Sequence, residues 1–278
     1  MDKKIAIVIR TKNSMPYSQE QLLSLKNQTR QDFSIYAFDL ESSDATVQTL
    51  VEHVFLLVRM KDEKKAPGAI LNEMIGYTKE PIVVLLQGEA IPQGPDWLQN
   101  LIAPIEEGGA EATFCRQIPR KDAPLLTQIS YERLFDETKR AKNRYFFSDV
   151  ACAFSRKLWE KRPFYAAGFQ EDLEWSHYWQ DMGVPFQYLP EVEVNFFQPF
   201  SIKEMYTRGL QDGEASSFIF QTKPSFTGQL IAFFKDIGHD FLCALKKGKF
   251  WLIPYHIAVK ASFHWGFWLG KRSGYKKI

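Results

Sequence analysis

The chain has 278 residues, 45% hydrophobic and 24% charged, and its 35 basic and 33 acidic residues leave a net charge of +2. That balance suits a soluble globular protein with a sizeable core. Three isolated cysteines, Cys115, Cys152 and Cys243, exclude a disulfide framework or a CxxC metal site and fit a reducing compartment. Charge is unevenly placed: segment 241–278 carries eight basic residues and no acid, leaving 27 basic (35 less 8) against 33 acidic residues elsewhere. An acidic body argues against nucleic acid as the partner.

After Lys3 and Lys4 the first apolar run covers only residues 5–9. It is too short for the core of a signal peptide and reads as a buried strand. Further strands are expected at 34–38, 54–58 and 82–86, with helices at 18–28, 45–52 and 67–77 between them. Ser18 with Gln21 three residues on has the spacing of a capping box. Such alternation predicts a largely parallel sheet with helices on its faces. The next stretch, LLQGEAIPQGPDWLQN at 85–100, runs from the strand into a polar cluster, is broken by Pro92, Gly94 and Pro95, and reopens as a helix at Trp97.

Residues 114–200 are less regular. Arg116, Gln117 and Arg120 read as a polar insertion after a strand, and the small residues Val150–Ala153 as a tightly packed strand. A helix is expected at 171–182 and a strand pair at 186–189 and 192–196. Beyond Ser201 the chain reads as helices, with Leu230, Phe234, Ile237, Phe241 and Leu245 at amphipathic spacing. The expected organisation is an α/β domain over 1–215 and a helical appendage over 216–278.

Segment 251–270, WLIPYHIAVKASFHWGFWLG, has the length of a membrane span. Lys260 at its middle would cost roughly 2.5–3.5 kcal/mol at a bilayer centre, and Pro254, Gly266 and two histidines weaken the case further. Peripheral contact through 225–278 fits better, since Trp, Lys and Arg favour the headgroup layer. The alternatives are a helix packed on the body or on a partner subunit, and a true span.

Several residues at expected strand ends have the chemistry of ligand contacts. Glu89 and Asp39 each follow an apolar strand, where α/β proteins place ligands. Asp39 is suited to accept a hydrogen bond from a ligand N–H, or to cap the helix near Ala45; Thr11 and Asn13 would line the same pocket. Arg10 would reach a nucleotide or phosphate, or pair with a surface acid. Arg116 and Gln117 suit a diphosphate or an acceptor, or a solvated loop. Asp44 reads as the cap of the helix near Ala45. Glu171 and Asp172 open a helix, where the macrodipole favours acids in any case. Trp175, one turn on, would stack on a sugar or fill the core. No GxGxxG follows a strand, which argues against a nicotinamide enzyme, and the five histidines have no HxxxH spacing.

Taken in order, IAIVIRTKN (5–13), FDLESSDAT (38–46), PGAILNEMI (67–75) with LLQGEAIPQGPDWLQNL (85–101), CRQIPRKDA (115–123), FFSDVACAFSRKLW (146–159) and QEDLEW (170–175) resemble family 2 glycosyltransferases, the inverting GT-A enzymes. Within them the chain is most similar to the bacterial rhamnosyltransferase-type branch. The resemblance covers roughly residues 4–215.

It implies a GT-A fold, a Rossmann-like mixed sheet with helices on both faces, and a donor such as dTDP-rhamnose or a UDP-sugar. It also implies a glycan or lipid-linked acceptor, a role in polysaccharide assembly, and a cytoplasmic site at the inner face of the membrane. Asp172 falls at the position of the general base. Arg10, Thr11, Asn13, Asp39, Gln87, Glu89, Arg116 and Gln117 fall on the donor side, and Glu171 and Trp175 on the acceptor side.

Two departures bear on Mg²⁺ or Mn²⁺. The family usually has Asp where Glu89 stands, with a polar residue or a second Asp in place of Gly88. The branch's His-x-His-like element is replaced by NFFQPFS at 195–201, where Gln198 offers only a neutral oxygen. Glu89 is thus the one charged metal ligand expected, which leaves either an ion held mainly by the diphosphate and Glu89 or a metal-independent enzyme that neutralises the leaving group with Arg or Lys. The other reading is a weakened or inactive GT-A-like subunit that binds nucleotide or glycan, or scaffolds a glycan-assembly complex.

Overall fold

The computed structural model describes residues 3–61, 65–196 and 201–276. The chain forms two compact units: residues 1–120, 134–167 and 171–197 make the first, and 121–133, 168–170 and 198–278 the second.

The first unit is built on an eight-stranded sheet. Its opening elements are β1 (Ile5–Thr11), α1 (Tyr17–Lys26), β2 (Phe33–Asp39), α2 (Thr46–Val51), β3 (Leu56–Arg59), α3 (Pro67–Gly76) and β4 (Ile82–Gln87). There follow β5 (Ile91–Pro92), α4 (Trp97–Glu106), β6 (Ala112–Ile118), and, after helix α5 (Leu125–Leu134), the short α6 (Glu137–Lys142). β7 (Ala151–Ser155), α7 (Arg156–Lys161), α8 (Glu171–Asp181) and β8 (Phe186–Asn195) complete it.

The sheet order is β3-β2-β1-β4-β7-β6-β8-β5. β1, β2, β3 and β4 run parallel, β7 is antiparallel to both β4 and β6, β8 is parallel to β6, and β5 is antiparallel to β8. β1 and β4 have almost no exposed surface on either face, which explains why both read as unbroken apolar runs. From β1 the chain winds out to β3 on one side and then returns to place β4 on the other. The carboxyl ends of β1 and β4 therefore form a topological switch point, the ordinary ligand position of such sheets.

Three local expectations need correction. The expected capping box at Ser18 does not form: α1 begins at Tyr17, and Ser18 and Gln21 are buried. Gln21 instead donates from Nε2 to the carbonyls of Gln87 and Ala90, both at 2.7 Å. The expected pair of strands at 186–196 is one strand, β8. Its register against β6 jumps from Leu189 to Glu193. Pro190, which has no N–H to donate, falls in that bulge. Arg116 and Gln117 lie inside β6 and not after it.

The second unit is helical. Besides α5 it holds α9 (Ile202–Phe220), α10 (Phe226–Lys246), a 3₁₀ turn (Phe250–Leu252) and α11 (Ile253–Tyr275). Leu125 and Ile129 of α5 bury Ala244 of α10 with Leu252 and Ile253 around it. α9 and α11 run side by side in the same direction, Tyr206 meeting Gly266 and Leu210 meeting Gly270. Glycines at four-residue intervals, Gly209 and Gly213 against Gly266, Gly270 and Gly274, let the backbones touch. A Cβ at Gly213 would overlap the carbonyl of Phe267, and one at Gly270 that of Leu210. Among the described residues no helix is long and apolar enough to cross a membrane.

Candidate active site

The loops that follow β1 and β2 are stitched to each other and to the end of β4. Register pairs Thr11 with Asp39 and Arg10 with Gln87, so all three strands end at one level. Past β1 the backbone turns through Asn13 at φ 51°, a left-handed conformation that asparagine tolerates better than most residues. Asn13 N donates to Ser42 Oγ at 2.8 Å, and Asn13 Oδ1 accepts from Ser43 N at 2.8 Å. Asp44 is not the cap expected for α2, whose N-cap is Ala45 with no side-chain bond; its Oδ1 accepts from Thr46 N at 3.0 Å and its Oδ2 from Met15 N at 3.2 Å, so it ties the two loops together.

Asp39 is fully buried at the end of β2. Its Oδ2 accepts from Ser42 N at 3.0 Å and from Arg59 Nε at 3.2 Å. Its Oδ1 is buried with no hydrogen-bond partner. An unsatisfied buried carboxylate oxygen costs several kcal/mol at most and about 1 kcal/mol at least, so this atom is an acceptor awaiting a donor. Arg59, at the end of β3, is the ion-pair partner of Asp39, with its side chain 56% exposed. Sequence reading missed it because an isolated Arg near a strand end carries no motif.

Glu89 sits just past β4. Ser14 Oγ donates to its Oε1 at 2.7 Å and in turn accepts from Thr11 Oγ1 at 2.7 Å. Gly88 is confined by the same two hydroxyls: a Cβ there would lie 2.6 Å from both Ser14 Oγ and Thr11 Oγ1. Ser14 thus fills the space that a side chain at position 88 would take. Gln21, holding the carbonyls on either side of Gly88 and Glu89, fixes the loop from behind.

A second group of charges gathers at the start of β7 and α8. Arg10 Nη2 is 3.5 Å from Asp149 Oδ2. Glu171 is buried, and its carboxyl is pushed up to about 8, first by burial and then by the charges of Asp149 and Asp172. Such a group holds its proton at neutral pH. Asp172 beside it is half-buried, with Oδ1 accepting from Leu173 N at 2.7 Å. Gly68 at the start of α3 is pressed against the Tyr165 carbonyl and the Glu171 side chain.

The remaining expected residues are placed as follows. Gln117 is buried and donates from Nε2 to Ser148 Oγ at 2.8 Å. Arg116 faces Glu193, with Nη1 at 3.7 Å from Oε1. Trp175 fills the core, one of the two alternatives drawn for it. Its ring has no exposed surface, lies 4.8–5.9 Å from those of Phe147, Phe154, Phe164 and Phe186, and its Nε1 donates to the Arg162 carbonyl. A sugar has no open ring face to stack on there. Gln198 lies outside the described residues.

Among the described residues no three His, Cys, Asp or Glu side chains come together as a metal-holding group. Glu89 with the Ser14 and Thr11 hydroxyls does not make a protein-built cage. It does fit the Mg²⁺ pattern, in which one or two carboxylates share the ion with substrate phosphates.

Residues 6–174 match the model of glycosyl transferase family 2, which spans all of the strand ends just described together with Asp172. No curated protein sequence matches the chain. Among the solved structures that share the fold at low identity are the following three. A mannosyltransferase from Pyrobaculum calidifontis, in complex with GDP-Man and Mn²⁺, is 16% identical, with a TM-score of 0.64 over 95% of this chain and 74% of that one. Residues 1–349 of TarS from S. aureus, in complex with UDP-GlcNAc, are 13% identical, with a TM-score of 0.53 over 99% and 92%. Glucosyl-3-phosphoglycerate synthase from Mycobacterium tuberculosis, with Mn²⁺, UDP-glucose and phosphoglyceric acid, is 16% identical, with a TM-score of 0.54 over 73% and 74%. The match over 6–174 and the GT-A arrangement of the sheet make this chain a member of glycosyl transferase family 2.

Proposed function

We propose that the protein transfers a sugar from a nucleotide diphosphate donor to the hydroxyl of a glycan or lipid-linked acceptor, with inversion at the anomeric carbon. The observation that carries this reading is the convergence of β1, β2 and β4 at the switch point, where Asp39 keeps a buried oxygen without a donor and Glu89 is held by Ser14. Asp39 Oδ1 would accept the ring N–H of a nucleobase, with Arg59 kept on Oδ2. Arg59, paired with Asp39, and Arg10, paired with Asp149, stand at these strand ends and would face the diphosphate. The donor is a UDP- or dTDP-sugar, dTDP-rhamnose among them. The similar structures, solved with GDP-Man, UDP-GlcNAc and UDP-glucose, support a nucleotide-sugar in general.

In the transfer step Asp172 takes the proton from the acceptor hydroxyl as its oxygen attacks the anomeric carbon. The new C–O bond forms on the face opposite the diphosphate, the bond to the diphosphate oxygen breaks, and the leaving group departs with its electrons. Glu171 keeps its own proton at neutral pH and so removes one negative charge from beside the base. Where a divalent ion takes part, Glu89 would hold it and the ion would neutralise the departing diphosphate.

A second reading rests on Gly88 and Glu89: with one carboxylate at the end of β4, the chain is a subunit that binds nucleotide or glycan without turnover. Titration with UDP- and dTDP-sugars, with and without Mn²⁺, separates the two. Hydrolysis or transfer supports the enzyme; tight binding with neither supports the binding subunit.

A further inference from the structure

The amphipathic stripe of α10 faces outward. Leu230, Ile231, Phe234, Phe241, Leu242 and Leu245 lie along one side of the helix, each between 40% and 65% exposed. The opposite side buries Asp240 and Ala244. The apolar surface continues through Phe250 and Trp251, at 60% and 62% exposed, to Tyr255, Ile257 and Trp265 of α11, at 40–50%. Contiguous apolar surface of this kind marks a docking face.

The two exposed faces meet at a groove of about 230 Å³ between α10 and α11, walled by Phe226, Leu230, Phe233, Trp265 and Trp268. The polar atoms at its edge are already engaged. Gln229 Nε2 is 2.7 Å from His264 Nδ1, and His264 Nε2 is 3.2 Å from Asp236 Oδ2. Donation from Gln229 to Nδ1 and from Nε2–H to Asp236 satisfies the imidazole. The groove is smaller than the roughly 300–1,000 Å³ of drug-sized sites and takes only a slim apolar segment.

Charge selects the occupant. Lys235, Lys246 and Lys249 are exposed along α10 and the turn, Arg272 and Lys276 are exposed at the far end of α11, and no acid follows Asp240. A second copy of the chain placed face to face would bring these cations together, whereas an anionic lipid surface neutralises them. Trp and Tyr at the edge of an apolar face suit the headgroup layer.

We propose that α10, the 3₁₀ turn and α11 lie on an anionic phospholipid bilayer, and that one acyl chain of a bilayer lipid enters the groove between Phe226, Leu230, Phe233, Trp265 and Trp268. The face belongs to the second unit.

Flotation of the full chain with vesicles of phosphatidylcholine alone, or mixed with phosphatidylglycerol, tests it. The expected result is at least about tenfold stronger partition onto the mixed vesicles, declining with salt, and at least about tenfold loss in the double variant Phe234→Glu with Phe241→Glu. Both side chains point to water, so the variant should keep its circular dichroism spectrum and its nucleotide binding. Equal partition of the double variant, or no binding of the parent chain, overturns the docking face. So does a dimer in size exclusion that the variant abolishes, since that result assigns the face to a second copy. Lipids brominated on the acyl chain should quench the tryptophan fluorescence, and less so in Trp265→Phe with Trp268→Phe. Unchanged quenching in that variant overturns acyl-chain entry.

Discussion

Replacing Glu171 by Gln should reshape the pH dependence of stability. The Glu171 side chain is 7% exposed on a residue basis, and its carboxyl is pushed up to about 8 by burial first and by Asp149 and Asp172 second. Below about pH 4.5 folded and unfolded chains both carry the proton, and the group adds no pH dependence. Between there and about pH 8 the unfolded chain has released the proton while the folded chain retains it. Stability therefore falls as pH rises, by up to about 1.4 kcal/mol per pH unit. Over the whole window the loss reaches at most about 5 kcal/mol, and even half of that is a large part of a domain's stability. Above about pH 8 both states are ionised and the curve flattens. Glu171→Gln keeps the shape and removes the titration. Unfolding free energies of the full chain from urea titration should differ least at pH 4 and below and diverge by a few kcal/mol near pH 8, the variant gaining on the parent as pH rises. Parallel pH curves for the two proteins would refute the reasoning.

Other substitutions probe the pocket itself. Asp39→Asn should weaken nucleotide binding about 10- to 100-fold in calorimetric titration, the usual worth of a hydrogen bond to a charged group; unchanged affinity would remove Asp39 from the base pocket. Gly88→Ala should force Ser14 away from Glu89 and lower donor affinity by about tenfold, with little change in the unfolding midpoint, because the collision is with two short side chains at the site. Gln21→Leu deletes both bonds behind the Gly88–Glu89 turn and should cost about 1–3 kcal/mol in denaturant unfolding. Gly213→Val, by contrast, should separate α9 from α11 and destabilise the second unit by several kcal/mol, read as loss of helical circular dichroism, while donor binding persists.

The strands that build the site were legible because burial on both faces leaves an apolar run with no interruption, as in Ile5–Ile9 and Ile82–Leu86. The polar residues that end those runs, Thr11, Asp39 and Glu89, stand out for the same reason. What stayed hidden depends on partners far apart in sequence. Ser18 and Gln21 match a capping pattern, yet tertiary contact with the end of β4 decides where Gln21 points. Residues 186–189 and 192–196 read as two strands, and only the register against β6 shows one strand with a bulge at Pro190. The Arg59–Asp39 pair and the filling of the Gly88 space by Ser14 join separate loops that no local pattern connects. The stripe on α10 was visible as a stripe, but its spacing is the same whether it faces a core or water.

The proposed transfer reaction depends on Asp172 as its base. Turnover of a nucleotide-sugar that the parent chain accepts, measured beside donor binding for Asp172→Asn, tests it most directly. The expected rate is lower by about 10²–10⁴-fold, with nucleotide affinity kept within a few-fold. Asp172→Asn turning over at the parent rate would contradict it.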